Sequence, residues 1–232
     1  MRKLLVMNEV GFNIESIDNK SLFLSIKKSV YLSIKRVFDI VLSLIGCIVI
    51  LPLMFIIKIC NVFTRDYSSI FYKQKRIGKN GKFIYIYKFR TMVPNADEVL
   101  KELLKKPKYK KQWKENQKLD NDPRITKIGK ILRKSSLDEI PQFINVLKGD
   151  MSIIGPRPLV EGELDEHCGD HELYESVRPG ITGWWACHGR SATTYEERLD
   201  LEYYYIQRQG LKIDIKCIIQ TIMVVLGCKG AK

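Results

Sequence analysis

One long apolar run limits what this chain can fold into. Residues 37–57 read VFDIVLSLIGCIVILPLMFII, with Asp39 as their one charged side chain. Few soluble helices are apolar on every face, and at about 1.5 Å per residue the run just spans a hydrocarbon core of about 30 Å. A cleaved signal peptide fits poorly, because the run begins well inside the chain and no small-residue cleavage site follows it. The run therefore predicts a segment in contact with lipid.

Two features favour a re-entrant helix over a single span. Pro52 interrupts the run, and a proline inside a helix removes a hydrogen bond and kinks the chain. Both flanks are basic, with Lys27, Lys28, Lys35 and Arg36 before the run and Lys58, Arg65, Lys73, Lys75 and Arg76 after it. A spanning helix usually carries its basic excess on one side. We expect residues 35–60 to form a re-entrant membrane helix kinked at Pro52; a single span stays open, since membrane helices tolerate proline.

The charge of the chain calls for an anionic partner. A formal net charge of +13 suits a phosphorylated substrate, an acidic membrane surface or a nucleic acid. The sequence contains no recognisable nucleic-acid-binding module, so no nucleic acid partner is expected. Six cysteines without a Cys-x-x-Cys pair indicate reduced thiols in a protein that faces the cytosol. The spacing of the soft ligands fits no standard zinc pattern; they are His167, Cys168, His171, Cys187 and His188.

The rest of the chain predicts an α/β fold that is mostly α-helical. Alternating apolar side chains around Asn80 and Gly81 predict a β-hairpin over residues 70–91. Residues 97–119 predict a basic helix broken near Pro107, and residues 140–147 a short helix with Pro141 near its start and Gly149 past its end. Residues 211–226 predict a helix on the core or along the membrane plane. We expect an N-terminal extension (1–34, with an amphipathic helix over 21–34), the membrane helix (35–60) and a cytosolic domain (61–232).

Asp138 and Glu139 are the candidate reactive residues. They lie in RKSSLDEIPQ, residues 133–142, just before the helix that begins near Pro141. Helix N-termini attract phosphate groups. A carboxylate at such a place can coordinate Mg²⁺ on phosphate oxygens, or it can attack phosphorus and form an acyl phosphate. Helix capping is the more common role for such a pair taken alone.

Basic and glycine-rich segments elsewhere in the chain favour chemistry over capping. GDMSIIGPRP fixes Arg157 between two prolines, which suits bidentate binding of phosphate oxygens. YKFRTM offers Lys88 and Arg90, and NDPRITKIGKILR offers Arg124, Lys127 and Arg133. Glycines permit close approach of backbone to a ligand, and VRPGITGWWACHGRS supplies Gly180, Gly183 and Gly189 beside Arg178, Pro179 and Arg190. The set predicts an electropositive pocket around two carboxylates, as a metal-dependent phosphoryl transferase needs.

These motifs resemble those of the bacterial sugar transferases, the monotopic polyprenyl-phosphate phosphoglycosyl transferases. The likeness rests on KRVFDIVLSL, KFRTM, NDPRITKIGKILRKSSLDEIPQFINVLKGDMSIIGPRP, RPGITGWW and GRS, and it covers the chain from about Lys35 onward. It implies a re-entrant membrane helix, a small cytosolic α/β domain and amphipathic helices at the interface. Two departures stand out. Leu51 precedes Pro52 where members commonly have serine, and Trp184 and Ala186 replace a common Leu and Gln.

The resemblance also implies a reaction. Asp138 would attack the β-phosphate of a UDP-sugar and release UMP, Glu139 would help hold Mg²⁺, and phosphates would be bound by Arg133, Arg157, Lys88 and Arg90. The glycine-rich segment would line the nucleotide-sugar pocket with Arg178, Pro179, Gly180, Gly183, Gly189 and Arg190. Undecaprenyl phosphate would then take the sugar phosphate from the aspartyl intermediate, in the first membrane step of envelope glycan synthesis. The enzyme would sit in the bacterial cytoplasmic membrane with its catalytic domain facing the cytosol, and a homodimer is left open. The rival functions are a non-catalytic membrane scaffold and a basic nucleic-acid-binding protein.

Overall fold

The computed structural model describes residues 19–116, 119–189 and 193–226, and it shows a mostly helical α/β protein. The described helices are α1 (Asn19–Phe63), α2 (Ala96–Leu104), α3 (Pro107–Asn116), α4 (Lys127–Lys134), α5 (Gln142–Lys148), α6 (His171–Glu175), α7 (Trp184–His188), α8 (Tyr195–Arg208) and α9 (Leu211–Leu226). The described strands are β1 (Phe71–Ile77), β2 (Phe83–Phe89), β3 (Ser152–Ile154) and β4 (Gly180–Thr182). Short 3₁₀ turns lie at Lys79–Gly81, Leu137–Glu139 and Asp165–His167.

Helix α1 is 45 residues long and stays helical on both sides of Pro52. By length and composition it is long and apolar enough to cross a membrane. It begins at Asn19, so residues 21–34 and the apolar run belong to one helix. One face is buried at intervals of three to seven residues, at Asp39, Ser43, Gly46, Ile50, Ile57 and Asn61. The opposite face is apolar and exposed, and the exposed Pro52 belongs to it. The kink and the re-entrant path stay predictions.

Polar contacts fasten the buried face of α1 to the rest of the protein. Asp39, the one charge in the apolar run, accepts hydrogen bonds from the Ser152 hydroxyl (3.0 Å) and the Ile153 backbone N–H (2.8 Å) at β3. The Arg36 guanidinium donates to the carbonyls of Val146 (2.6 Å) and Leu147 (2.9 Å) at the end of α5. The two Arg36 contacts provide partners for carbonyls at the end of α5, since the last carbonyls of a helix lack partners inside it.

A hairpin and a helix form the frame beside α1. Strands β1 and β2 are antiparallel, with Phe71 opposite Phe89. The turn between them places Asn80 at φ +57° and Gly81 at φ +71°, so the predicted hairpin is confirmed. The Asn145 side chain of α5 accepts from the Tyr87 N–H (2.9 Å) and donates to the Tyr85 carbonyl (2.7 Å). The Asn145 amide thereby makes hydrogen bonds to β2 of the kind that a neighbouring strand would make.

Most other predicted elements are confirmed. The basic helix breaks near Pro107 into α2 and α3, the short helix is α5 with Gly149 in the left-handed region, and α9 spans the predicted residues. Strand β3 pairs with β4 in parallel, with Ser152 opposite Gly180. Side chains of α1, β2 and α4 share one buried cluster, whose fully buried members are Ile50, Ile57, Phe89 and Leu132. This cluster holds the ends of β2 and α4 against α1.

Candidate functional site

Asp138 and Glu139 lie together in the 3₁₀ turn Leu137–Glu139, between α4 and α5. Ser136, which precedes this turn, has φ +57° in the left-handed region. An L-residue with a side chain adopts this conformation at a cost of about 1–2 kcal/mol. Such strain is typical of functional sites. The turn therefore holds the two carboxylates in a fixed arrangement at the end of α4.

Close packing brings α4 against the end of β2. A Cβ atom added at Gly129 would lie 2.0 Å from the carbonyl oxygen of Thr91, so only glycine fits there. The Thr126 hydroxyl caps α4 by accepting from the Gly129 N–H at 3.0 Å. Further along α4, Arg133 Nε donates to the Thr91 hydroxyl at 2.8 Å. This contact fixes Arg133 beside the last residues of the hairpin.

The pair of carboxylates stands among positive charges. Lys88 Nζ, at the end of β2, lies 2.6 Å from Glu139 Oε1. Burial raises the pKa of the Asp138 carboxyl, and the charge of Glu139 raises it further, while Lys88 and Arg133 act in the opposite direction. The structure thus brings together four of the residues that the sequence selected. Their chemical roles stay predictions.

Two other predicted cations are engaged by protein groups. The Arg90 guanidinium binds Asp66 (2.9 Å) and donates to the carbonyls of Ser69 (2.6 Å) and Met92 (3.0 Å). Arg90 therefore ties the loop after α1 to the end of β2, and its assignment to phosphate binding stays a prediction. Arg124, which the sequence placed in the basic pocket, is buried with its guanidinium 2.7 Å from Asp122. It holds the loop before α4.

Arg157, in the turn after β3, lies among other residues, namely Trp185, Glu202 and Tyr174. Its side chain is exposed, and the guanidinium carbon lies 5.9 Å from the centre of the Trp185 ring. Its backbone N–H donates to Glu202 Oε1 at 3.0 Å, and its carbonyl accepts from the Tyr174 hydroxyl at 2.9 Å. Arg157 is thus held through its backbone, while its side chain is left to reach outward.

The predicted nucleotide-sugar segment packs closely on this Arg157 turn. Cβ atoms added at Gly180 and Gly183 would lie 2.1 Å from the Gly155 nitrogen and 2.2 Å from the Gly155 oxygen. The close approach that these glycines permit is therefore between two segments of the protein. Pro179 is buried, and its carbonyl accepts from the Ser152 N–H. Arg178 donates to the Gly149 carbonyl at 2.8 Å. Gly189 precedes Arg190, which lies outside the described residues.

The donor set suits Mg²⁺ better than zinc. Mg²⁺ is usually bound by one or two carboxylates together with substrate phosphates, and Asp138 with Glu139 offers such a pair. Within the described ranges, no group of three or more His, Cys, Asp or Glu side chains could hold a metal. The candidate soft ligands are occupied separately: His167 stacks on Tyr195, His171 lies between Asp165 and Glu175, and the Cys187 thiol contacts the Cys217 carbonyl.

Sequence reasoning missed the buried polar residues that support the site. Asn145 and Glu202 are polar residues in helices, and the apolar periodicity of a helix assigns polar residues to its exposed face. The sequence pattern therefore gave no reason to select them. One local signal was available for α8: Thr194 and Glu197 have the spacing of a capping box, and both of its hydrogen bonds are present. That signal finds the helix that carries Glu202 but not the contact with Arg157.

Fold and site together define a protein that sets two carboxylates among basic side chains beside a long apolar helix. The family model described as "Bacterial sugar transferase" matches residues 30–228, and the chain belongs to this family. The undecaprenyl-phosphate galactose phosphotransferase of Salmonella typhimurium is 45% identical over 85% of this chain. The exopolysaccharide production protein ExoY of Sinorhizobium fredii is 40% identical over 85% of this chain and 87% of its own length.

The relatives differ in length. The chain matches 41% of the Salmonella protein. It matches 46% of an Aeromonas hydrophila UDP-N-acetylgalactosamine-undecaprenyl-phosphate N-acetylgalactosaminephosphotransferase, which is 34% identical over 88% of this chain. The shared region includes Asp138, Glu139, Lys88, Arg133 and Arg157 within the family match.

Proposed function

We propose that this protein transfers a sugar phosphate from a UDP-sugar to undecaprenyl phosphate and releases UMP. The observation that carries the proposal is the strained turn that holds Asp138 and Glu139 beside Lys88 and Arg133. Relatives named for sugar phosphotransfer to undecaprenyl phosphate support the acceptor, and one named for a UDP-sugar supports the donor. The product would begin an envelope glycan, in keeping with the name of the ExoY relative.

The first half of the reaction uses Asp138 as nucleophile. A carboxylate oxygen attacks the β-phosphorus, the bond from that phosphorus to the bridging oxygen breaks, and UMP leaves with the electron pair. A phosphosugar remains as an acyl phosphate on Asp138. Arg133 and Arg157 would neutralise charge on the phosphate oxygens, since guanidinium groups bind phosphate in a bidentate manner.

The second half regenerates the enzyme. A phosphate oxygen of undecaprenyl phosphate attacks the same phosphorus, the Asp138–phosphorus bond breaks, and the carboxylate is free again. Glu139, with Asp138, would hold Mg²⁺, which when bound neutralises the diphosphate oxygens. Lys88 orients Glu139 through their 2.6 Å contact. The two half-reactions give ping-pong kinetics.

A re-entrant α1 would place this site at the lipid headgroups. Buried positions on α1 recur from Asp39 to Asn61, so the globular part lies along the whole apolar run. A straight span would carry groups packed against the run, such as the turn with Asp138 and Glu139, into the hydrocarbon, where charged groups are costly. A helix that enters one leaflet and returns avoids this, with both ends on the cytosolic side of the bacterial cytoplasmic membrane. Pro52, on the exposed face, is placed to bend it.

The test is turnover by a near-isosteric variant. Asp138→Asn should abolish UMP release from UDP-sugar in the presence of Mg²⁺ and undecaprenyl phosphate, because the amide is a poor nucleophile, and the fold should survive. Asp97→Asn, at an exposed position on α2, is the matched control and should keep full activity. With the acceptor withheld, mass spectrometry should find the phosphosugar on Asp138 of the wild-type protein.

Normal turnover by Asp138→Asn would contradict the nucleophile assignment. If, in a separate outcome, the wild-type protein released no UMP from any UDP-sugar, a non-catalytic scaffold with Asp138 and Glu139 as helix caps would account for the chain. Salt-sensitive DNA binding by the purified protein would favour the nucleic-acid-binding alternative.

A further inference from the structure

Glu202 is a buried carboxylate without a close ion-pair partner among the described residues. It lies in the middle of α8 with 1% of its surface exposed. One oxygen, Oε1, accepts from the Arg157 N–H at 3.0 Å, and the other, Oε2, has no hydrogen-bond partner in the part of the chain that the structure describes. Burying a carboxylate is costly unless the group is paired and fully hydrogen-bonded. Fold stability therefore does not explain why a carboxylate stands here.

The Glu202 carboxylate reaches the two turns that carry the predicted donor-binding residues. It bonds to the peptide of Arg157, in the turn after β3. A Cβ atom added at Gly183 would lie 3.8 Å from Glu202 Oε2, so the same carboxylate also lies against the turn before α7. Glu202 is thus the point where α8 supports both turns.

Tyr174 holds the Arg157 residue from the other side. Its hydroxyl donates to the Arg157 carbonyl at 2.9 Å, and the tyrosine is 5% exposed. The N–H and the C=O of Arg157 are therefore both bound by buried side chains, one from α8 and one from α6. The flanking residues Pro156 and Pro158 limit backbone rotation further. So many restraints on one exposed residue are expected where the position of its side chain matters.

Arg198 lies near the same aromatic ring as Arg157. Arg198, one helical turn before Glu202, lies 5.0 Å from the centre of the Trp185 ring and 3.1 Å from Glu163. Arg157 lies against the same ring. Burial raises the pKa of Glu202 to about 7, although the hydrogen bond from Arg157 and the charges of Arg198 and Arg157 act against this rise. The two guanidinium groups thus lower the cost of a negative charge at this position but do not remove it.

We propose that Glu202 and Tyr174 are positioning residues: they hold the Arg157 peptide so that its guanidinium is preorganised to bind the phosphates of the nucleotide-sugar donor. The inference rests on the proposed function for Arg157. Preorganisation lowers the ordering cost of binding, so loss of either side chain weakens donor binding while leaving the acceptor half-reaction intact.

The experiment uses the full chain in lipid nanodiscs with purified UDP-sugar and undecaprenyl phosphate. Glu202→Met removes the acceptor of the Arg157 N–H and keeps the volume and length of the side chain. It should raise the KM for UDP-sugar about tenfold, as expected for one lost hydrogen bond to a positioned group, with an unchanged KM for undecaprenyl phosphate. The Tm should fall, because the Arg157 N–H loses its acceptor and Arg198 loses a nearby negative charge. Glu202→Gln keeps an oxygen acceptor and should stay near the wild-type KM. Asp200→Asn, exposed on the same helix, is the control.

A double-mutant comparison separates positioning from a merely structural role. If Glu202 acts through Arg157, Glu202→Met should raise the KM no further in an Arg157→Ala background, whereas additive effects would overturn the proposal. A wild-type KM for Glu202→Met, beside a raised KM for Arg157→Ala, would also overturn it. If Arg157→Ala itself left the KM unchanged, the proposed function of Arg157 would fail first.

Tyr174→Phe provides the second variant. It removes one hydroxyl and keeps the ring, so it tests the clamp even if Glu202→Met does not fold. A raised UDP-sugar KM that vanishes in the Arg157→Ala background supports the proposal, and an unchanged KM counts against it.

Discussion

The environment of Asp138 opposes the charge that its proposed reaction needs. Burial and the neighbouring Glu139 raise the pKa of its carboxyl, and the opposing effects of Lys88 and Arg133 do not cancel this rise. The folded-state pKa thus lies above the unfolded one. The stability that this group contributes is full below its unfolded pKa and is lost as pH rises through its folded pKa. At neutral pH the ionised Asp138 destabilises the fold, a trade of stability for activity that is common at active sites.

Asp138→Asn should therefore unfold at a higher temperature than the wild type at pH 7 in the absence of Mg²⁺. The difference should shrink as pH falls toward the ordinary pKa of an aspartate, because the wild-type carboxyl is then protonated and neutral. Differential scanning calorimetry between pH 4 and 8, with EDTA present, measures this. A Tm below that of the wild type at pH 7 would show that the Asp138 charge stabilises the fold.

At the residue scale, the sequence selected the proposed reactive group, Asp138, but could not show which cations lie near it. Asp138, Glu139 and Arg133 are close along the chain, and Lys88 ends a predictable hairpin. Arg124 and Arg90 are arginines in basic segments, as Arg133 is, but they form ion pairs with Asp122 and Asp66. Which arginine remains available for a substrate is decided by pairing in three dimensions, and composition does not record that.

At the scale of secondary-structure elements, the contact between β2 and α5 determines the position of Lys88. Asn145 is fully buried, and its amide bonds to both Tyr85 and Tyr87, which lie just before Lys88 on the strand. The hairpin has its other edge at β1, so Asn145 supplies the polar partners that an edge strand otherwise lacks. A shift of β2 along α5 would move Lys88 away from Glu139.

Asn145→Ala should destabilise the protein and impair the site together. It takes the partner away from the Tyr87 N–H and the Tyr85 carbonyl and leaves a gap where a fully buried side chain stood. Together these losses cost about 2–4 kcal/mol in the free energy of unfolding. UMP release should fall in the same variant, because β2 loses its register against α5. Gln207→Ala, at an exposed position on α8, is the control for loss of an amide. An Asn145→Ala protein with wild-type Tm and turnover would show that packing alone sets the register.

Elements with local punctuation were predictable, and those defined by distant contacts were not. The hairpin follows from Asn80 and Gly81, and α5 follows from Pro141 and Gly149, because turn and cap residues act within a few positions. Strands β3 and β4 are each three residues long, and their pairing joins segments far apart in sequence. The unbroken start of α1 at Asn19 was missed because residues 21–34 have a more polar surface than the run that follows.

At the scale of the whole molecule, α1 packs on the globular part with one face and leaves the other face apolar and exposed. Lys35 pairs with Asp214 of α9 (2.9 Å), Asp39 bonds to β3, and Ile50 and Ile57 pack with Phe89 and Leu132. Exposed apolar side chains cover the other face of α1, and α9 also exposes apolar side chains at Ile215, Ile219 and Ile222. The apolar surface therefore lies on the side opposite the hairpin contacts, where a bilayer can cover it.

Labelling from the two sides of the membrane tests the re-entrant path. In a variant without native cysteines, Lys28→Cys and Tyr67→Cys place one exposed thiol on each flank of the apolar run. A membrane-impermeant maleimide should label both in inside-out vesicles and neither in right-side-out vesicles, since both ends of a re-entrant helix lie in the cytosol. Asp97→Cys on α2 reports the side of the globular part. Labelling of either flank from the outside would establish a span, and the site would then need another route to the lipid phosphate.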